Sequence, residues 1–67
     1  MNKFAERLTE LRKEKNLSQN ELAKQLNISV ACINRWENNL RVPNIDSLAL
    51  LCKYFSCSAD YLIGLED

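Results

Sequence analysis

At 67 residues the chain is too short for two domains of ordinary size, and its core can bury only about 60% of the surface that the unfolded form exposes. Its 46% hydrophobic and 27% charged content suit one small domain over residues 1–67, and no apolar run approaches the roughly 20 residues that cross a bilayer, the longest being Leu48-Ala49-Leu50-Leu51-Cys52. The formal net charge is zero, which speaks against a uniformly basic nucleic-acid binder.

The first predicted element starts after Asn2. Phe4, Leu8 and Leu11 fall at i, i+4 and i+7 with charges between them, an apolar stripe on a helix that Asn16 can stop in the left-handed conformation. The same polar N-terminus lacks the apolar stretch of about 7–15 residues that an export signal needs. Ser18 and Glu21 form a capping box for a short second helix, whose apolar face is Leu22, Ala23 and Leu26. Asn27 accepts positive φ, Ile28 is apolar, and Ser29 can cap a third helix with Ile33 and Trp36 turned inward. Pro43-Asn44 marks a fourth start, with Ile45, Leu48, Leu51 or Cys52, and Phe55 on one side. Ser58 caps a fifth helix that carries Ala59, Leu62 and Ile63 and ends at Gly64. One glycine, one proline and few β-branched residues complete the expectation of an all-α, compact five-helix bundle.

Charge is not spread evenly along these elements. Residues 1–41 hold eight basic side chains against five acidic ones, a balance of +3, while residues 42–67 balance at −3, so one face can be presented to phosphates. The second and third helices, joined by a tight turn, make a helix-turn-helix unit over about residues 18–38, in which the first helix crosses the DNA backbone and the second enters the major groove. Ala23 is the small residue at the crossing, Asn27 occupies the turn, and Ile33 and Trp36 pin the second helix.

With Leu17-Ser18-Gln19-Asn20-Glu21-Leu22-Ala23, Asn27-Ile28-Ser29, Ile33-Asn34-Arg35-Trp36-Glu37-Asn38, Pro43, and Ser58-Ala59-Asp60-Tyr61-Leu62-Ile63-Gly64, the chain resembles the phage-repressor (lambda and Cro) type of helix-turn-helix regulators over nearly its whole length. That family usually has glycine where Asn27 stands and another near Asn39. The resemblance implies a lambda-repressor-like DNA-binding domain acting in the cytoplasm of a bacterial or phage-infected cell. It also implies a phosphate contact for Gln19 at the start of the first motif helix, and a salt bridge between Arg12 and Glu37 that ties the first helix to the end of the recognition helix.

On a recognition helix over about residues 29–38, the 3.6-residue period leaves Ser29, Val30, Ala31, Asn34, Arg35 and Asn38 opposite Ile33. Base contact is expected from Val30, Ala31, Asn34 and Arg35: a guanidinium fork for guanine, an amide for adenine, and methyl groups for thymine. Val30 also has a plainer reading as cover for the domain edge, and Arg35 as a solvated charge. Phosphate contact is expected from Gln19, Ser29, Asn38 and Arg41. Trp36 reads as core rather than as a base-stacking platform.

Cys32, Cys52 and Cys57 leave one thiol over in any disulfide scheme, and with no histidine the common Cys/His zinc sets cannot form. They read as free thiols in a reducing compartment, Cys52 as packing, with the role of Cys57 open. No metal or cofactor is expected, and no convergent nucleophile, base or carboxylate pair suggests an enzyme. The expected function is a sequence-specific double-stranded DNA-binding transcriptional regulator, read as a repressor on an inverted-repeat operator. It would work as a homodimer, with Leu40, Val42, Ile45, Tyr61 and Leu65 as available surface. The alternative is an antitoxin or protein-interaction module with little DNA binding of its own. Met1 and the acidic tail suit a complete small protein, the other reading being the DNA-binding part of a longer repressor.

Overall fold

Four of the five helices begin at a side chain that accepts a hydrogen bond from an amide three residues on. In the computed structural model, which describes residues 2–66, α1 spans Phe4–Glu14, α2 Gln19–Leu26, α3 Val30–Glu37, α4 Ile45–Phe55 and α5 Ala59–Ile63. Ser18, Ser29, Asn44 and Ser58 cap α2 to α5 through the amides of Glu21, Cys32, Ser47 and Tyr61. Glu21 completes the capping box by accepting from the Ser18 amide at 2.8 Å. At α1 the Phe4 amide donates to Asn2 Oδ1 at 3.0 Å.

The helix ends share one device. Asn16, Asn27, Asn39, Ser56 and Gly64 take positive φ, from 54° to 92°. In each case the amide of the following residue reaches back to a carbonyl five residues earlier: Leu17 to Arg12, Ile28 to Ala23, Leu40 to Arg35, Cys57 to Cys52 and Leu65 to Asp60, at 2.7–3.2 Å. These are Schellman turns, which satisfy carbonyls that the helix leaves over. Only the last uses glycine, and a Cβ there would sit 2.9 Å from Lys3 Cβ. The Lys3 amide donates to the Ile63 carbonyl at 3.2 Å, so the two ends of the fold meet at this point.

Phe4 and Leu8 of α1, Leu22, Ala23 and Leu26 of α2, Ile33 and Trp36 of α3, Leu51 and Phe55 of α4, and Leu62 of α5 form one buried cluster. Phe4 meets Trp36 edge to face, with ring centroids 6.1 Å apart. The cluster holds α3 between α1 and α2, which fixes the direction of its outer face.

Three details differ from the sequence reading. Ile45, expected on the inner side of α4, is 85% exposed: it is the first helical residue, on a turn that overhangs the core, and burial begins with Leu48 and Leu51. Ala59 is likewise exposed, leaving Leu62 as the buried anchor of α5. Arg7, one of the eight basic side chains in the positive balance of residues 1–41, is 9% exposed and so not open to a phosphate. Its Nη1 donates to the carbonyls of Tyr61 and Glu66, and its guanidinium lies 4.3 Å from the centre of the Tyr61 ring, clamping α1 to α5 and the segment after it.

Candidate nucleic-acid interface

α2 and α3 are joined by Asn27, Ile28 and Ser29, with Asn27 in the left-handed conformation and Ser29 already capping α3. The turn therefore has no slack, and α3 starts in the orientation that Ile33 and Trp36 lock from inside. The helix proper covers residues 30–37, with Ser29 and Asn38 as its caps, so the expected span of about 29–38 holds with both ends as flanking positions.

On its outer face the structure brings Val30, Ala31, Asn34 and Arg35 into solvent together, Val30 being 41% exposed. Ser29 and Asn38 lie at the two ends of this face. The Ser29 hydroxyl accepts from the Cys32 amide at 3.2 Å, and the Asn38 side chain donates to the Asn34 carbonyl at 2.8 Å. Arg41 is exposed in the loop after α3, beside a shallow cleft lined by Trp36, Pro43 and Ser47.

Arg12 and Glu37 meet as a two-bond pair: Nε to Oε2 at 2.6 Å and Nη2 to Oε1 at 3.0 Å, with the side chains 12% and 5% exposed. Arg12 also donates from Nη1 to the Leu17 carbonyl at 2.7 Å, which ties the end of α1 to the entry of α2. Burial pushes the Glu37 carboxyl up, but hydrogen bonds from Arg12 and Gln19 and the Arg12 charge outweigh it and hold the group below the usual carboxylate range. The hydrogen bond to Glu37 raises the Arg12 guanidinium further above its ordinary value, against the opposing effect of desolvation.

Gln19 stands in the middle of the site. Its Nε2 donates to Glu37 Oε1 at 3.1 Å and its Oε1 accepts from Asn34 Nδ2 at 3.3 Å, so one amide links the buried ion pair to the outer face of α3. Sequence reasoning had no signal for this link, because the partners lie 18 and 15 residues away on another helix. Cys57, the open thiol, is half-buried, and burial followed by the neighbouring Cys52 pushes it up, the opposite of a reactive cysteine. The described residues hold no group of histidine, cysteine or carboxylate side chains able to bind a metal, and no helix among them is long and apolar enough to cross a membrane.

Two short helices at a three-residue turn, the second locked inward and polar outward, define a helix-turn-helix, and the helix-turn-helix family model matches residues 8–62. The chain belongs to this family, in its Cro/C1 phage-repressor branch. It is 42% identical, over 96% of its length, to the HTH-type transcriptional activator BcrR of Enterococcus faecalis, and 36% identical, over 90%, to repressor protein C2 of Salmonella phage P22. A transcriptional regulator from Listeria innocua superposes on the whole chain with a TM-score of 0.89 at 31% identity. The chain spans only part of each: 31%, 28% and 63% of their respective lengths.

Proposed function

We propose that residues 1–67 form one DNA-reading domain of a sequence-specific transcriptional regulator, with α3 in the major groove of double-stranded DNA. The observation that carries this reading is the two-sidedness of α3: Ile33 and Trp36 are buried, while Val30, Ala31, Asn34 and Arg35 share an exposed face of the kind that reads base edges. Val30, Ala31, Asn34 and Arg35 contact bases, Gln19, Ser29, Asn38 and Arg41 hold phosphates, and the Arg12–Glu37 pair keeps α3 in register without touching DNA.

One such helix reads only a few base pairs, so the working form is a homodimer on an inverted repeat, with half-sites about one helical turn apart. The domain works in the cytoplasm by occupying its operator, without catalysis. Occupancy that blocks polymerase represses; the same contacts beside a promoter activate, as the names of the relatives allow. Repression is the reading adopted here, the phage protein C2 being a repressor by name.

Selection from a randomised duplex pool at moderate salt tests the proposal, with Arg35→Ala run beside the parent and both checked for helical folding. The expected result is an enriched inverted repeat, and a variant that binds it more weakly by about 1–3 kcal/mol while relaxing one base position per half-site. Folded parent protein that enriches nothing would move the function to a protein partner.

A further inference from the structure

The turn that ends α4 differs from the other four in what it holds. In a turn of this kind the residue whose carbonyl accepts and the residue whose amide donates, five positions apart, bring their side chains together, and an apolar contact frequently fills the place. In the other four turns the donating position is Leu17, Ile28, Leu40 or Leu65. After α4 it is Cys57, whose amide donates to the Cys52 carbonyl at 3.0 Å, so that a thiol stands at both positions. Ser56, with φ at 54°, turns the chain back between them. Both thiols are free, half-buried and packed against the core. They are also neighbours, because Cys52 acts on the Cys57 thiol through a side-chain hydrogen bond as well as through charge. Cys32 stands elsewhere, on α3 beside the cleft lined by Trp36 and Pro43.

We propose that Cys52 and Cys57 form a dithiol site, which the folded chain presents for reversible closure to a disulfide by exchange with a low-molecular-weight disulfide. The bond requires two Cα atoms within about 7 Å and side chains that face each other, and the turn supplies both. Its advantage is proximity rather than acidity. Burial pushes the Cys57 thiol up, which slows its reaction with reagents in solution, but a mixed disulfide formed on either cysteine has the other already beside it. In the exchange one cysteine thiolate attacks a sulfur of the reagent, the reagent's S–S bond breaks, and one reagent thiol leaves with the proton that the cysteine gave up. The second cysteine displaces the other reagent thiol in the same way. The chain loses two hydrogens and is oxidised by two electrons, and the reagent is reduced to two thiols.

Closure would brace the corner between α4 and α5. The bond would hold Ser56 in its left-handed conformation and fix Ser58, the cap of α5, one residue beyond Cys57. Through α5 the brace reaches Tyr61, whose carbonyl accepts from Arg7 of α1. In a reducing compartment the bond is transient and forms when small disulfides accumulate. None of this depends on what α3 binds.

The test is equilibration of the full chain with mixtures of reduced and oxidised glutathione, folded and again in urea, followed by alkylation, tryptic digestion and mass spectrometry. Lys53 lies between the two cysteines, so trypsin places Cys32, Cys52 and Cys57 on separate peptides, 25–35, 42–53 and 54–67. The expected product joins 42–53 to 54–67, is unchanged in Cys32→Ser, and gives way to a glutathione adduct in Cys57→Ser. The glutathione ratio at half-closure gives the effective concentration of one thiol for the other. In urea it should be about millimolar, as for a short flexible linker, and in the folded chain higher by about tenfold or more. By linkage the closed form then melts at a higher temperature than the open one. An effective concentration in the folded chain no higher than in urea overturns the proposal, since the turn would then hold the thiols as packing only. Joining of any other pair of peptides, or glutathione adducts without joining, overturns it as well.

Discussion

Arg12 makes three hydrogen bonds from a side chain that is 12% exposed, and its acceptors, Glu37 and the Leu17 carbonyl, lie on either side of the helix-turn-helix unit. Such a pair adds modest net stability while it is whole, but removing one member strands the other in a place that water cannot reach. Arg12→Ala is therefore expected to cost about 3–5 kcal/mol, read by urea denaturation, and replacing both partners with methionine should recover most of that loss. A cost under about 1 kcal/mol would mark the pair as solvated after all. The pH dependence follows from the same carboxylate. Because the folded protein holds Glu37 below its ordinary value of 4.5, its stabilisation is complete above that pH and disappears as the pH falls through the lower, folded value. Glu21, held low by the Ser18 amide, acts with the same sign. Melting curves from pH 7 down to 3 should show stability lost only in the acid limb, with a shallower limb in Glu37→Gln.

The five helix ends repeat one turn with different residues in its left-handed position, and the side chains there are not equally suited to it. An ordinary L-residue in that conformation costs roughly 1–2 kcal/mol, asparagine less, and glycine nothing except greater freedom in the unfolded chain. Ser56→Gly should accordingly raise stability by about 0.5–1 kcal/mol, or several degrees in melting temperature, and Asn27→Gly by a smaller amount. The sites are on separate elements and their gains should add. An unchanged melting temperature for Ser56→Gly would show that its φ of 54° carries no strain. This regularity also explains what could be read beforehand. Helix starts and stops were legible because Ser18, Ser29, Asn44 and Ser58 act locally, and because Asn16, Asn27 and Gly64 tolerate positive φ. Ile45 was not, because a helical period tells which side a residue lies on but not whether the core extends far enough to cover it. The outer face of α3 could be listed from its period alone, whereas the Gln19 link and the burial of Arg7 depend on partners distant in the chain.

At the scale of the molecule, whose extents are 28 × 23 × 20 Å, the positive balance of residues 1–41 overstates the charge available to DNA. Arg7 and Arg12 serve the interior, and of the four proposed phosphate contacts only Arg41 is charged. Binding should thus depend weakly on salt, with a log–log slope of about −1 to −2 per protomer, and Arg41→Ala should make it shallower by about 1 while lowering affinity for all sequences alike. Fluorescence anisotropy on the selected operator between 50 and 200 mM salt measures both; a steep slope that Arg41→Ala leaves unchanged would assign the phosphate contacts elsewhere. The clamp at Arg7 also has a temporal side. Its acceptors are 54 and 59 residues further along the chain, and at about 5–20 residues per second the ribosome delivers them some 3–12 seconds after Arg7 itself. For that interval α1 lacks these two carbonyls and has no α5 to lie against, so this end of the fold cannot close as it is made. Closure there waits for the residues around Glu66 to emerge, and a nascent chain stalled before α5 leaves the side of α1 that meets it uncovered for chaperones to bind.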